Sequence, residues 1–177
     1  MIDNQQEKFK NKSIIFLVGF MGSGKTCIGE ELAKELNYEF LDSDQEIERS
    51  QDLNVKQIFE KKGENTFRLL ELQFIESIKN LKNVVISTGG GLPCHNDLID
   101  RLKGIGFVVY LNVPIPVLVE RLKNDQSRPL IQNKNNEELS LFVKEKISER
   151  ATFYLKAHKT IEANKTIDKI IQEIKNG

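Results

Sequence analysis

The chain has 177 residues, 39% of them hydrophobic, enough to bury one sizeable core. Lys plus Arg and Asp plus Glu balance at 26 each, so no net charge draws the protein to nucleic acid or to acidic lipid. No apolar run nears the roughly 20 residues that span a bilayer, the polar start lacks a signal-peptide core, and Cys27 and Cys94 read as free thiols of a cytoplasmic protein.

In chain order, residues 1–12 are polar and unpatterned and predict a mobile arm, with one domain following over 13–177. The apolar run 13–18 predicts a strand buried on both faces. A glycine-rich turn follows, then a helix over 25–36 with Ile28, Leu32 and Leu36 on one face and Asn37 to end it. A short strand over 38–41 delivers Asp42-Ser43-Asp44. From 45 to 81 the pattern is helical, with Asn54 as a cap and Gly63 as an interruption. A third strand over 84–88 ends in Gly89-Gly90-Gly91. A short helix over 97–103, closed by Gly104, leads to a fourth strand over 107–111. Pro116 suits the first turn of the next helix. Residues 123–136 have little apolar periodicity and predict a mobile lid. A long helix over 137–157, a weak strand over 160–162 and a terminal helix carrying Ile167, Ile170, Ile171 and Ile174 complete the chain. Strands alternating with helices predict an α/β fold, a parallel sheet covered on both faces with the ligand site at the strands' carboxyl ends.

The turn at 19–26 reads GFMGSGKT, the P-loop pattern, between a buried strand and a helix where its chemistry requires it. Its backbone N–H groups can wrap a polyphosphate at the positive end of a helix dipole, so the cofactor-binding set is Gly22, Ser23, Gly24, Lys25, Thr26 and Cys27, and the expected ligand is a nucleoside triphosphate. Lys25, read as an exposed loop lysine, supplies charge to the β- and γ-phosphates, and the Thr26 hydroxyl binds Mg²⁺. The third strand ends without an acidic residue, which leaves Asp42 as the candidate metal-supporting carboxylate and Asp44 for the acceptor; an Asx turn is the alternative. Arg68, beside Phe59 and Phe67, either clamps a carboxylate over an aromatic floor or is a solvated arginine above core rings, and helical periodicity alone favours the second. The glycine triplet offers free backbone N–H donors and close approach, more than a plain turn needs. Arg121 before the lid could stack on adenine, Arg128 in the lid could close on the transferring phosphate, and Arg150 could reach the substrate pocket; each alone also reads as a surface charge. His95 and His158 match no ligand spacing.

Together, GFMGSGKT, LDSD at 41–44, IFEKKGENTFRLLE at 58–71, STGGG at 87–91 and RPL at 128–130 resemble the shikimate kinase family, from about residue 13 onward. The resemblance implies a three-layer α/β/α P-loop kinase with a five-stranded parallel sheet in the order 2-3-1-4-5. It also implies transfer of the ATP γ-phosphoryl group to the 3-hydroxyl of shikimate, on the route to chorismate. By the same resemblance Asp44 faces the shikimate hydroxyls and accepts the proton, Arg68 and Arg150 hold the carboxylate, and the triplet, with Phe59 and Phe67, completes the acceptor site. Arg128 belongs to lid and phosphate, and reads as catalytic with Lys25 and Asp44. A monomer without nucleic-acid or membrane partners is expected. The polar arm and the Asn/Lys-rich stretch at 133–136 depart from the family's usual pattern. Gluconate kinase is the nearest rival, a nucleotide-binding regulatory module a more distant one, and a GTPase is disfavoured because no [NT]-K-x-D motif occurs.

Overall fold

Alternation along a strand sends successive side chains to opposite faces, and the first strand divides the core this way. In the computed structural model, which describes residues 13–123, 129–132 and 134–176, β1 (Ile14–Val18) is buried throughout. Ile15 and Leu17 enter one apolar cluster, while Ile14, Phe16 and Val18 enter the other. β1 lies at the centre of a five-stranded sheet, between β3 (Val84–Ser87) and β4 (Phe107–Asn112). The edges are β2 (Glu39–Asp42) beside β3 and β5 (Lys159–Glu162) beside β4. Every pairing is parallel, and the order 2-3-1-4-5 is the expected one. Register sets Asp42 opposite Ser87 and Leu17 opposite Ser87 on the other side, so β1, β2 and β3 end side by side.

Seven α-helices occur among the described residues. On the Ile15 face lie α1 (Lys25–Leu36), α5 (Ile115–Leu122), the start of α6 (Asn136–Tyr154) and α7 (Ile167–Lys175). On the Ile14 face lie α2 (Ser43–Gln51), α3 (Val55–Ile78) and α4 (Leu98–Ile105), joined by Tyr154 from the far end of α6. α1 has its predicted bounds, and Asn37 ends it in the left-handed conformation, donating its N–H back to the last turn. Asn54 starts α3 through a capping box with Gln57. Gly63 interrupts α3 as expected, at φ 79 and ψ 167.

The fourth helix differs from its prediction. It runs through Gly104 and ends at Gly106, where a Cβ would lie 2.6 Å from the Phe16 ring and 2.7 Å from the Ile14 carbonyl oxygen. The close approach to β1, not a helix stop, places the glycine at 106, and nothing lies within 4 Å of a Cβ at Gly104. The long helix also starts and stops earlier than its pattern suggested, with Asn135 making a capping box with Glu138. Within the expected lid, Pro129–Ile131 forms a short 3-10 turn and Ile131 is buried in the core. The arm at 1–12, the centre of the lid and Arg128 lie outside the described residues.

Candidate active site

The P-loop turns out of β1 with Gly19, Gly22 and Gly24 all at positive φ. Gly24, at φ 89, directly precedes α1, so the loop delivers its backbone to a helix N-terminus. Lys25 is not the exposed residue its loop position suggested. It is buried, and its Nζ donates to the Gly19 and Phe20 carbonyls at 3.0 and 2.9 Å and to Ser23 Oγ at 3.4 Å. The flexible ammonium head donates to acceptors two to six residues back in its own loop, which the loop's turn brings around it. Cys27, exposed, lies at the rim. Arg121, from α5, donates Nη1 to the Gly22 carbonyl at 2.9 Å.

Asp42 ends β2 and faces two ways. Oδ1 caps α2, accepting from the Asp44 and Gln45 N–H groups at 3.1 and 3.4 Å, while Oδ2 accepts from the Thr26 hydroxyl at 3.2 Å. The Asx-turn alternative therefore holds at Oδ1, while Oδ2 lies beside the Thr26 hydroxyl. P-loop, Asp42, Asp44 and Ser87 to Gly90 together line a cleft of about 300 Å³.

Gly89 and Gly90 line this cleft, and each glycine of the triplet meets a different charged side chain. A Cβ on Gly89 would stand 2.4 Å from Asp44 Oδ1, so a side chain there would push the carboxylate out of its present position. A Cβ on Gly90 would be 3.6 Å from Arg150 Nη1, and one on Gly91 3.3 Å from Arg68 Nη1. One carboxylate and two guanidiniums, from α2, α3 and α6, thus converge on three consecutive residues. The expected free N–H donors are reduced by one: the Gly89 N–H donates to Ser43 Oγ at 2.8 Å. The Gly90 carbonyl accepts from the Tyr154 hydroxyl at 2.5 Å.

Phe67 is buried in the core, as the plainer reading had it, with Phe59 partly buried against it, ring centroids 4.8 Å apart. The Arg68 guanidinium carbon lies 5.6 Å from the Phe67 centroid, and that of Arg150 lies 5.7 Å from Phe20. Arg68 is not solvated: its side chain is 17% exposed, with Nη1 on Glu71 Oε2 at 2.8 Å and Nη2 on Glu64 Oε1 at 3.0 Å. Burial pushes the Glu71 carboxyl up to about 7, against the pull of Arg68, and the charges of Asp44 and Glu64 add to the rise. Burial also raises the Cys94 thiol, to about 11, and the Tyr154 phenol. His95 is lowered by burial and by Arg68. His158 Nδ1 accepts from the Val108 N–H, between two strands and far in role from the cleft.

Four residues of this arrangement carried no assigned role in the sequence. Glu64 and Glu71 stand at i−4 and i+3 from Arg68, a spacing that helix geometry makes legible as ion pairs. Tyr154 stands at i+4 from Arg150 on the same face of α6. Ser43 reaches Gly89 across 46 positions, with no local signal.

A phosphate nest at a helix start, facing a wall of one carboxylate and two guanidiniums, defines a P-loop phosphotransferase for a small anionic acceptor. A family model described as "Shikimate kinase" matches residues 21–176, and the chain belongs to the shikimate kinase family. It is 43% identical to the shikimate kinase of Sulfurihydrogenibium sp. over 90% of this chain and 94% of that one. The solved shikimate kinase of Bacteroides thetaiotaomicron superposes with a TM-score of 0.87 at 38% identity, covering 91% of this chain and 95% of the other. That of Acinetobacter baumannii, in complex with shikimate, gives 0.83 at 38% identity, covering 96% and 94%. The protein is an ATP-dependent phosphotransferase with an alcohol acceptor, transferring the γ-phosphoryl group to the 3-hydroxyl of shikimate.

Proposed function

We propose that the reaction runs across the cleft, between ATP phosphates on the P-loop and shikimate held at the glycine triplet. The single observation that carries this assignment is the pairing of Gly89, Gly90 and Gly91 with Asp44, Arg150 and Arg68. Two guanidiniums suit the substrate's carboxylate, and Asp44, which lines the cleft together with the P-loop, suits a hydroxyl whose proton must leave as the phosphoryl group arrives. Phe59 and Phe67 floor the acceptor site. Gly22, Ser23, Gly24, Thr26 and Cys27 present backbone to the phosphates. Lys25 exchanges the carbonyls of Gly19 and Phe20 for phosphate oxygens, Arg121 packs on the base, and Arg128 closes from the lid. Transfer through a loose transition state needs little covalent help, so positioning and charge neutralisation carry the rate.

Mg²⁺ fits the donor set beside the P-loop. Among the described residues no cluster of three or more His, Cys, Asp or Glu exists to hold a metal. A hydroxyl at Thr26 and a carboxylate oxygen of Asp42 at 3.2 Å suit an ion that keeps waters and takes phosphate oxygens. Bound there, the ion would neutralise charge on the β- and γ-phosphates. The balanced charge and two free thiols fit a cytosolic protein, and no helix among the described residues is long and apolar enough to cross a membrane.

Titration of shikimate and of ADP·Mg²⁺ separately against wild type and Arg68→Lys tests the acceptor assignment. Lysine keeps the charge but lacks the planar fork. Shikimate should weaken about ten- to a hundredfold, the worth of charge-assisted hydrogen bonds, while ADP·Mg²⁺ stays as it was. Unchanged shikimate binding would remove Arg68 from the site, and an equal loss for both ligands would mean a damaged fold.

A further inference from the structure

Two carboxylates already share the guanidinium that the substrate needs. Arg68 Nη1 is bonded to Glu71 and Nη2 to Glu64, while Nε is buried with no hydrogen-bond partner among the described residues. The partners differ in kind. Glu71 is 1% exposed and fixed in the core, whereas Glu64 is 60% exposed. Glu64 also lines an outer groove of about 420 Å³ with Arg68 and His95, so it has open space to move into. It directly follows the break at Gly63 and therefore sits in the first turn of the second half of α3. A helix start favours negative charge there whether or not Arg68 is engaged.

A guanidinium grips a carboxylate with two parallel bonds on one of two edges, Nη1 with Nη2 or Nε with Nη2. Both edges include Nη2, and Glu64 takes one of the two N–H groups of that nitrogen, so a carboxylate gripping either edge must replace the Glu64 carboxylate or lie beside its charge. We propose that Glu64 is an internal stand-in for the substrate carboxylate, displaced when shikimate binds, and so sets the apparent affinity for substrate and product. This rests on the assignment of Arg68 to the shikimate carboxylate. Binding then exchanges one carboxylate for another at the same donors, and only the difference appears as affinity. The phosphorylated product carries the same carboxylate, so Glu64 also helps to expel it.

The experiment titrates shikimate, its uncharged methyl ester and ADP·Mg²⁺ against wild type, Glu64→Gln, Arg68→Lys and the double variant. Glutamine keeps the size of the side chain and removes the competing charge. Glu64→Gln should tighten shikimate about two- to fivefold, the range for an exposed ion pair, and leave ester and ADP·Mg²⁺ as they were. The gain should disappear on the Arg68→Lys background, and in steady state it should fall in KM for shikimate rather than in kcat. Equal or weaker shikimate binding by Glu64→Gln, with Arg68→Lys still impaired, overturns the proposal and leaves the Arg68 assignment standing. Tightening of the ester as much as of shikimate overturns it too. Normal shikimate binding by Arg68→Lys removes both.

Discussion

Lys25 and Glu71 are both buried ionisable residues, and each makes the cost of removing it specific. Lys25 holds two backbone carbonyls and Ser23, so replacing it does more than delete a charge. Lys25→Met should abolish phosphoryl transfer and also lower stability by about 1–3 kcal/mol, because partly enclosed acceptors lose their donor. Turnover and denaturant unfolding of the same preparation check both halves; full stability would mean that the carbonyls are readily rehydrated. Glu71 titrates in the fold at about 7, against 4.5 ordinarily, so the folded state holds its proton more tightly. Its contribution to stability is present below pH 4.5 and is lost as pH rises to about 7. Unfolding curves of wild type and Glu71→Gln should therefore diverge across that window, wild type losing ground, and run parallel outside it. Parallel curves throughout would return Glu71 to an ordinary carboxylate.

At the scale of elements, the site depends on helix ends. Asp42 closes β2, caps α2 and meets Thr26 at the start of α1, joining three elements through one carboxylate. Asn serves as an N-cap as well as Asp does. Asp42→Asn should therefore keep the melting temperature while raising the Mg²⁺ concentration for half-maximal rate, and an unchanged metal dependence would assign that role elsewhere. Tyr154, at the end of α6, ties this helix to the triplet by its bond to the Gly90 carbonyl and stacks on Tyr110 at 5.0 Å. Tyr154→Phe keeps the ring and the stack. It should raise KM for shikimate and leave KM for ATP alone, since Gly90 and Arg150 belong to the proposed acceptor side; equal effects on both substrates would make the tyrosine purely structural.

Over the whole molecule, the order 2-3-1-4-5 is what makes the site. It sets the ends of β2, β3 and β1 in adjacent rows, so Asp42, the triplet and the P-loop become neighbours although up to about 70 residues separate them. α3 carries Arg68 in from the Ile14 face, and α6, which runs from the Ile15 face to the Ile14 face, carries in Arg150 over Phe20. Binding in such a shared site should stabilise the fold as a unit. Shikimate at about 100 times its dissociation constant should raise wild-type stability by about 2.7 kcal/mol, and the same concentration should do far less for Arg68→Lys. Thermal shift measurements with matched ligand concentrations test this, and equal shifts would place the shikimate away from Arg68.

Local backbone signals reach about one helical turn, and within that reach the sequence by itself determined a great deal. The P-loop between strand and helix, the stop at Asn37, the cap at Asn54 and the break at Gly63 each act on their own neighbours, and all stand as read. Resemblance across separated motifs then supplied the sheet order and the family. Contacts between distant segments had no such local signature. Gly106 rather than Gly104 is the required glycine because Phe16 and Ile14 of β1 press against it. Gly89 lets Asp44 Oδ1 come close to its backbone, and its N–H is taken by Ser43. The division between Glu64 and Glu71, one exposed and one enclosed, follows from which side of α3 packs on the sheet. These depended on register and packing between segments, which only the tertiary structure decided.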